Sequence, residues 1–197
     1  MTWQPSALTI VGRPGAGKGT LAAALVSADA TFRIVSTGAI ARRGRRDQRM
    51  EAGGLADESF IRSQVRMEMN RLANRHLIPL LDGFPRTVEQ LAYLDTLLAP
   101  EQYRLVAVHI DAPKSVCLER ISRRRAASVA ATSGSPRHDD ANDAAVKRME
   151  MFDSVTSDLI VELTNSRTTV TIDGNQPESS VFAQAANGIA RLKASRN

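Results

Sequence analysis

Short apolar runs alternate with longer amphipathic stretches along the chain. The apolar runs end near polar or glycine residues, which is typical of short buried strands, and they cover residues 7–11, 32–36, 77–81, 105–110 and 168–172. Apolar residues at helical spacing predict helices over residues 18–28, 57–74, 87–98, 113–124, 143–165 and 178–194. This alternation predicts an α/β fold with a five-stranded parallel sheet and helices on both faces. Ligands of such folds bind at the carboxyl ends of the strands.

Local signals support two of the helix starts. Thr87 and Gln90 have the Thr-x-x-Gln spacing of a capping box. Pro113 stands where a helix tolerates the missing N–H. Both signals support the predicted helices over residues 87–98 and 113–124.

Two segments do not follow the alternation. Residues 43–54 are rich in arginine and glycine, and residues 126–139 are rich in alanine, serine and glycine. Neither has a clear period, so both are expected to be mobile inserts. A length of 197 residues suits one domain that carries them.

A glycine-rich loop follows the first predicted strand. Gly12 to Thr20 has the sequence GRPGAGKGT, with the spacing Gly12-x4-Gly17-Lys18 of a phosphate-binding loop. Glycines allow backbone N–H groups to turn towards a polyphosphate, and Lys18 adds a charge that can reach its terminal phosphates. The hydroxyl that usually follows the lysine comes one place later, at Thr20. The loop predicts a nucleotide polyphosphate site.

A second polar cluster follows the third predicted strand. Residues 80–87 have the sequence LLDGFPRT, in which an apolar strand ends in a carboxylate before Gly83. Asp82 is placed to hold Mg²⁺ through water beside the phosphate loop. Arg86 can fork onto a phosphate from the same sheet edge.

Composition and charge exclude several kinds of protein. The single cysteine, Cys117, excludes a disulfide within the chain and a cysteine metal cage, which fits a reducing compartment. We see neither a secretory signal nor an 18-residue apolar run, so we expect a cytoplasmic protein without a membrane span. The net charge of +5 suits polyanions, but aromatic residues are not interleaved with the arginines, so we expect no nucleic-acid partner.

These motifs together resemble the adenylate kinase family. The resemblance rests on GRPGAGKGT, Ser36-Thr37-Gly38, DGFPRT at residues 82–87 with Gln90, and RHDD at residues 137–140 with Arg148, in order along nearly the whole chain. It implies one kinase domain over residues 1–197 with a P-loop NTPase-type sheet. It also implies an insert for the nucleoside monophosphate at residues 37–66 and a short lid at residues 125–140. The expected activity is reversible, Mg²⁺-dependent transfer from ATP to AMP by a monomer.

The resemblance also implies which residues bind each nucleotide. The ATP site would comprise Gly15, Ala16, Gly17, Lys18, Gly19, Thr20, Arg120, Arg124, Gly174 and Gln176. The AMP site would comprise Thr37, Arg42, Leu55, Ala56, Gly83, Arg86, Gln90, Arg137 and Arg148. Gln90 would hold the adenine, whereas Asp139 and Asp140 would anchor and hinge the lid.

The expected catalytic residues are cations on different elements, namely Lys18, Arg86, Arg124, Arg137 and Arg148. Phosphoryl transfer spreads charge over the equatorial oxygens, so positioning and cationic stabilisation suffice. An ionised phosphate acceptor needs no general base, unlike a hydroxyl. The absence of an obvious base therefore favours a monophosphate acceptor over a sugar alcohol.

Departures from the family pattern leave two alternatives open. Ala39 stands where most members have Asp, the segment from residue 43 to residue 57 is shorter than in common members, and Gln176 stands where Lys is common. One alternative is a kinase for another nucleoside monophosphate, such as CMP, UMP or a deoxynucleotide. The other is a nucleotide-binding protein without catalysis.

Overall fold

Five parallel strands form one sheet in the computed structural model, which describes residues 6–44, 58–100, 102–130 and 142–194. The strands are β1 (Ser6–Gly12), β2 (Phe32–Ser36), β3 (Ile78–Asp82), β4 (Arg104–Asp111) and β5 (Thr168–Asp173). Their order across the sheet is β2-β3-β1-β4-β5, so the chain reverses direction of winding beside β1. The predicted fold class is confirmed, and each predicted strand is present to within two residues at either end.

Helices cover both faces of this sheet. They are α1 (Lys18–Ala28), α2 (Thr37–Gly44), α3 (Glu58–Ala73), α4 (Val88–Leu98), α5 (Lys114–Ala130), α6 (Asn142–Met151), α7 (Ser157–Ser166) and α8 (Glu178–Ala194). Among the described residues, no helix is both long and apolar enough to cross a membrane.

The two faces of the sheet bury two separate apolar cores. Leu8 and Ile10 of β1 point to the core that α1 and α8 cover. Ala7 and Val11 point to the opposite core, covered by α3, α4 and α7. Because residues of β1 are buried on both sides, the strand is mainly apolar, as expected of a central parallel strand, and Thr9 is a buried polar residue within it.

Two helices, α2 and α5, differ from the sequence prediction. α2 was not predicted, because residues 37–44 are few and end in arginines. α5 continues to Ala130, six residues beyond its predicted end at residue 124, and so includes the start of the predicted lid. The remainder of that lid, residues 131–140, lies outside the described residues.

The single helix predicted over residues 143–165 is wrong. A π-helical segment, Phe152–Thr156, separates α6 from α7. Met149 of α6 packs in the core beneath α1, whereas Leu159 and Leu163 of α7 pack in the opposite core. The wider turn shifts the buried face from one core to the other, which an average helical period does not reveal.

Candidate functional site

One cleft of about 1140 Å³ lies at the carboxyl ends of the strands. It exceeds the range of roughly 300–1,000 Å³ that a single small-molecule ligand usually occupies. Its lining includes these predicted residues: Gly15, Ala16, Gly17, Lys18, Gly19, Thr20, Thr37, Asp82, Gly83, Arg86, Gln90, Arg120, Arg124, Arg148 and Gln176. The two polar clusters of the sequence therefore face the same space.

The phosphate loop connects β1 to α1 with its lysine turned inward. Gly15 and Gly17 have φ angles of +85° and +101°, which favour glycine. A Cβ on Gly15 would lie 2.4 Å from the carbonyl oxygen of Cys117, so the loop also packs too closely on α5 for a side chain there. Lys18 Nζ donates to the carbonyl oxygens of Gly12 at 2.7 Å and Arg13 at 2.9 Å.

The electrostatics at Lys18 reflect its enclosed position. Burial lowers the pKa of the amine from 10.5 to about 8. The Asp82 carboxylate opposes this shift, whereas the positive charges of Arg86 and Arg148 add to it. The phosphate loop, the end of β3 and α6 thus bring their charges to one place, where a polyanion would be strongly attracted.

Asp82 ends β3 beside the start of α1. Ser36 is its register partner on β2, and Ser36 Oγ donates to Asp82 Oδ2 at 3.2 Å. A Cβ built on Gly19 would lie 3.9 Å from the same Oδ2, so the carboxylate adjoins the loop. Among the described residues, no group of three or more His, Cys, Asp and Glu side chains could hold a metal ion. Mg²⁺ commonly binds through one or two carboxylates together with water and substrate phosphates, and Asp82 fits that kind of site.

The turn after β3 brings Arg86 and Thr37 together. Gly83 has a φ of +82°, and its carbonyl oxygen accepts from Thr37 Oγ1 at 2.8 Å and from Arg86 Nε at 2.9 Å. A Cβ on Gly83 would lie 2.8 Å from Thr37 Oγ1 and 3.1 Å from Arg86 Nη2. Thr9 of β1 donates to the carbonyl oxygen of Phe84 at 2.9 Å and anchors the turn to the sheet.

The predicted capping box at the start of α4 is half present. Thr87 caps the helix by accepting from the backbone N–H of Gln90 at 3.1 Å. The Gln90 side chain does not accept from the backbone N–H of Thr87, which would complete the box. Its Oε1 accepts from the backbone N–H of Arg86 at 2.7 Å, and its Nε2 donates to Glu58 Oε2 at 2.7 Å.

Arginines of α5 and α6 also line the cleft. Arg120 Nη1 donates to the carbonyl oxygen of Ala16 in the phosphate loop at 3.5 Å. Arg124 and Arg148 also line the cleft, together with Arg123. Phosphates bound at the loop would therefore meet cations from two further helices.

Gly174 and Gln176 lie in the loop after β5. Gln176 lines the cleft and donates to Asp173 Oδ2 at 2.8 Å. The Gly174 N–H donates to the carbonyl oxygen of Asp111 at 2.6 Å, and a Cβ on Gly174 would lie 2.6 Å from Ile110 Cγ2. Gly174 thus packs against the end of β4 rather than lining the cleft, and its contact with ATP stays a prediction.

Several predicted residues lie outside the described part of the chain. These are Leu55, Ala56, Arg137, Asp139 and Asp140, whereas Arg42 is described in α2 by its backbone alone. Their roles stay predictions.

Two residues that support the site, Arg13 and Glu58, were not predicted from the sequence. The Arg13 guanidinium contacts Asp153 at 3.3 Å and the carbonyl oxygen of Ala112 at 3.2 Å. Glu58 bonds to Gln90, as above, and pairs with Arg62 at 2.6 Å. The i,i+4 spacing of Glu58 and Arg62 was a visible signal, but the link from Arg13 to Asp153 spans 140 residues and had none.

Comparisons with known proteins agree with the geometry of the cleft. A family model described as adenylate kinase matches residues 10–168. An adenylate kinase of Clostridium acetobutylicum is 29% identical over 214 residues, covering 94% of this chain and 99% of the relative. One of Parvibaculum lavamentivorans is 32% identical over 203 residues, covering 95% of each. One of Deinococcus radiodurans is 33% identical over 190 residues, covering 91% of this chain and 94% of the relative.

Proposed function

This chain belongs to the adenylate kinase family, and we propose that it reversibly transfers the γ-phosphoryl group of ATP to AMP, giving two ADP. The observation that supports this most strongly is the shared cleft. The phosphate loop with Lys18 lines one part of it, and the turn with Gly83, Arg86 and Gln90 lines another. A phosphoryl donor and a phosphoryl acceptor could therefore bind side by side in one cleft.

Positioning and charge account for the chemistry. In the proposal the phosphate loop and Arg120 hold the donor phosphates, and Arg86 holds the acceptor phosphate. The acceptor oxygen attacks the γ-phosphorus in line, and the bond from that phosphorus to the leaving β-phosphate oxygen breaks. Lys18, Arg124 and Arg148 stabilise the charge on the equatorial oxygens, which supplies the main catalytic effect in such reactions.

The remaining predicted residues complete the proposal. Thr37, Arg42, Leu55 and Ala56 would position AMP within the insert of residues 37–66. Arg137 would join the cations from the lid of residues 125–140. Asp139 and Asp140 would act as its hinge, so that closure excludes water from the transferring group.

Asp82 is the residue proposed to serve the metal, through water. When bound, Mg²⁺ would neutralise phosphate charge. Ser36 Oγ holds the Asp82 carboxylate next to the phosphate loop by its hydrogen bond of 3.2 Å. This chain therefore orients the carboxylate before any nucleotide binds.

Cellular context is also part of the proposal. We propose a cytoplasmic monomer that acts on ATP, AMP and ADP and does not bind nucleic acid. The single cysteine supports a reducing compartment.

Product formation tests the proposed function. The purified protein with ATP, AMP and Mg²⁺ should form two ADP for each ATP consumed. Arg86→Ala should lower turnover by about 10³-fold or more, on the scale known for arginines that contact transferring phosphoryl groups. Arg71→Ala is the matched control, because Arg71 lies on the surface of α3 and pairs with Glu68.

The opposite results would be equally clear. An effect of Arg86→Ala below about tenfold would contradict its role, because positioning contacts of this kind are worth far more. No ADP from the unaltered protein, together with a salt-dependent shift on RNA or DNA, would favour a nucleotide-binding protein without catalysis.

A further inference from the structure

The Gln90 amide is held from both of its ends. Gln90 is 4% exposed, and yet its side chain lines the cleft. Its Oε1 accepts from the backbone N–H of Arg86, and its Nε2 donates to the Glu58 carboxylate, each at 2.7 Å. A backbone N–H can only donate and an ionised carboxylate can only accept, so these two partners permit one orientation of the amide.

Glu58 makes a second, partly exposed contact. Its other oxygen, Oε1, pairs with Arg62 Nε at 2.6 Å, one helical turn along α3. The Arg62 guanidinium in turn lies 5.0 Å from the centre of the Tyr93 ring on α4. Arg62 thus occupies Oε1, and Oε2 is the acceptor for the Gln90 amide.

The fixed amide has a defined hydrogen-bonding capacity left over. No other described residue hydrogen-bonds to this amide, so within the described part of the chain one N–H of Nε2 and one lone pair of Oε1 remain for a ligand. An adenine edge offers the complementary pair, an amino donor beside a ring-nitrogen acceptor, and glutamine pairs with adenine in this bidentate way. A base with a carbonyl in place of the amino group would face Oε1 with a second acceptor.

We propose that Glu58 is a positioning residue that sets the acceptor specificity of this site by fixing the orientation of the Gln90 amide. It discriminates for a base with an exocyclic amino group and against the same base with a carbonyl there. This inference rests on the proposed transfer to AMP. Glu58 acts through Gln90, and its contribution lies in the ratio between acceptors.

Inosine monophosphate provides the sharpest comparison, because it differs from AMP at the exocyclic position and the adjoining ring nitrogen. In Glu58→Gln the partner of Nε2 is neutral and can donate as well as accept, so only the backbone N–H of Arg86 still requires Oε1 and the Gln90 amide turns over more easily. The ratio of kcat/KM for AMP to that for inosine monophosphate should fall about tenfold, the scale of one hydrogen bond to a charged group. Most of the change in kcat/KM for AMP should be in KM.

Two controls separate orientation from a general structural effect. Glu68→Gln alters another α3 glutamate that pairs with an arginine, Arg71, and should leave the ratio unchanged. Arg62→Met removes the ion pair but keeps the carboxylate acceptor for Gln90. Arg62→Met should leave the AMP-to-inosine-monophosphate ratio within about threefold of that of the unaltered protein, because the ion pair between Arg62 and Glu58 is partly exposed and weak.

The outcomes distinguish failure of this inference from failure of the proposed function. An unchanged ratio in Glu58→Gln overturns the inference, as does an equal fall in Arg62→Met. Should Glu58→Gln fail to fold by circular dichroism, Glu58→Ala is expected to give the same tenfold fall, and an unchanged ratio there overturns the inference as well. No turnover of AMP by the unaltered protein would instead overturn the proposed function.

Discussion

Lys18 Nζ lies 2.7 Å from the carbonyl oxygen of Gly12, the residue at which β1 ends and its own loop begins. A second carbonyl, that of Arg13, accepts from the same amine at 2.9 Å. The lysine side chain thereby folds back over its own loop and satisfies these two carbonyls. Its charge is held at the place where phosphates are expected.

The lowered pKa of Lys18 predicts a pH dependence for ATP binding. The amine is protonated below its pKa of about 8 and loses its charge as the pH rises through that value. We expect kcat/KM for ATP, which reports the free enzyme, to fall as the pH is raised above about 8. Initial rates across a pH series check this.

Lys18→Arg is the informative variant for that profile. Its guanidinium stays protonated throughout this range, so the loss of kcat/KM above pH 8 should disappear even though the rate is lower at every pH. If kcat/KM for ATP still falls above pH 8 in Lys18→Arg, the fall must be due to the titration of another group.

Arg13 predicts a modest coupling between the phosphate loop and the π-helical segment. Its guanidinium contacts Asp153 at 3.3 Å and lies 5.4 Å from the centre of the Phe152 ring. Both charged side chains are about one-third exposed, so the pair should contribute only about 0.2–1 kcal/mol to the free energy of unfolding. Arg13→Ala should also raise KM for ATP by several-fold, because the loop loses its link to the carbonyl oxygen of Ala112.

A double-mutant cycle of Arg13→Ala with Asp153→Asn, followed by urea unfolding, measures the coupling. The contact would not position the loop if two results were found together. The loss of unfolding free energy in the double variant would equal the sum of the losses in the two single variants, and KM for ATP would be unchanged in Arg13→Ala.

Gly188 predicts a loss of stability that leaves the chemistry intact. A Cβ at this position of α8 would lie 2.4 Å from Val170 Cγ1 on β5. Gly188→Ala should therefore lower the free energy of unfolding by about 1–3 kcal/mol, the usual cost of overpacking a core. Val170→Ala in the same chain should restore part of that loss, whereas kcat should stay unchanged in both. Additive losses in the double variant would contradict this packing account.

Asp82 predicts a specific dependence on magnesium. Asp82→Asn keeps the size of the side chain but removes its negative charge, so the Mg²⁺ concentration that gives half-maximal rate should rise about 10–100-fold. The control is Asp158→Asn, an exposed position in α7. An unchanged magnesium requirement in Asp82→Asn would assign the metal to other groups.

The sheet and the phosphate loop could be predicted because their signals are local. Five apolar runs define the strands, and the spacing Gly12-x4-Gly17-Lys18 is contained within one turn of the chain. Thr87 caps α4 as its spacing with Gln90 suggests. Each of these depends on residues close together in the sequence.

What could not be predicted depends on distant partners. The Gln90 side chain does not complete the capping box with Thr87, because Glu58, 32 residues away, offers its Nε2 a charged acceptor. The π-helical segment arises because Met149 and Leu159 are buried in different cores, which only the assembled sheet defines. The sequence therefore predicts which residues line the site, whereas the orientations of their side chains depend on tertiary contacts.

AMP is the proposed acceptor, and a comparison of nucleoside monophosphates decides whether it is. Steady-state kcat/KM should be measured for the unaltered protein with ATP and Mg²⁺ against AMP, CMP, UMP and GMP. AMP should be the best acceptor. The fixed amide of Gln90 complements the amino donor and ring-nitrogen acceptor of adenine, whereas UMP and GMP present a carbonyl in place of the amino group. CMP shares that donor and acceptor pair, and the expectation that AMP exceeds it rests on membership of the adenylate kinase family. A higher kcat/KM for any of the other three monophosphates would contradict the proposal.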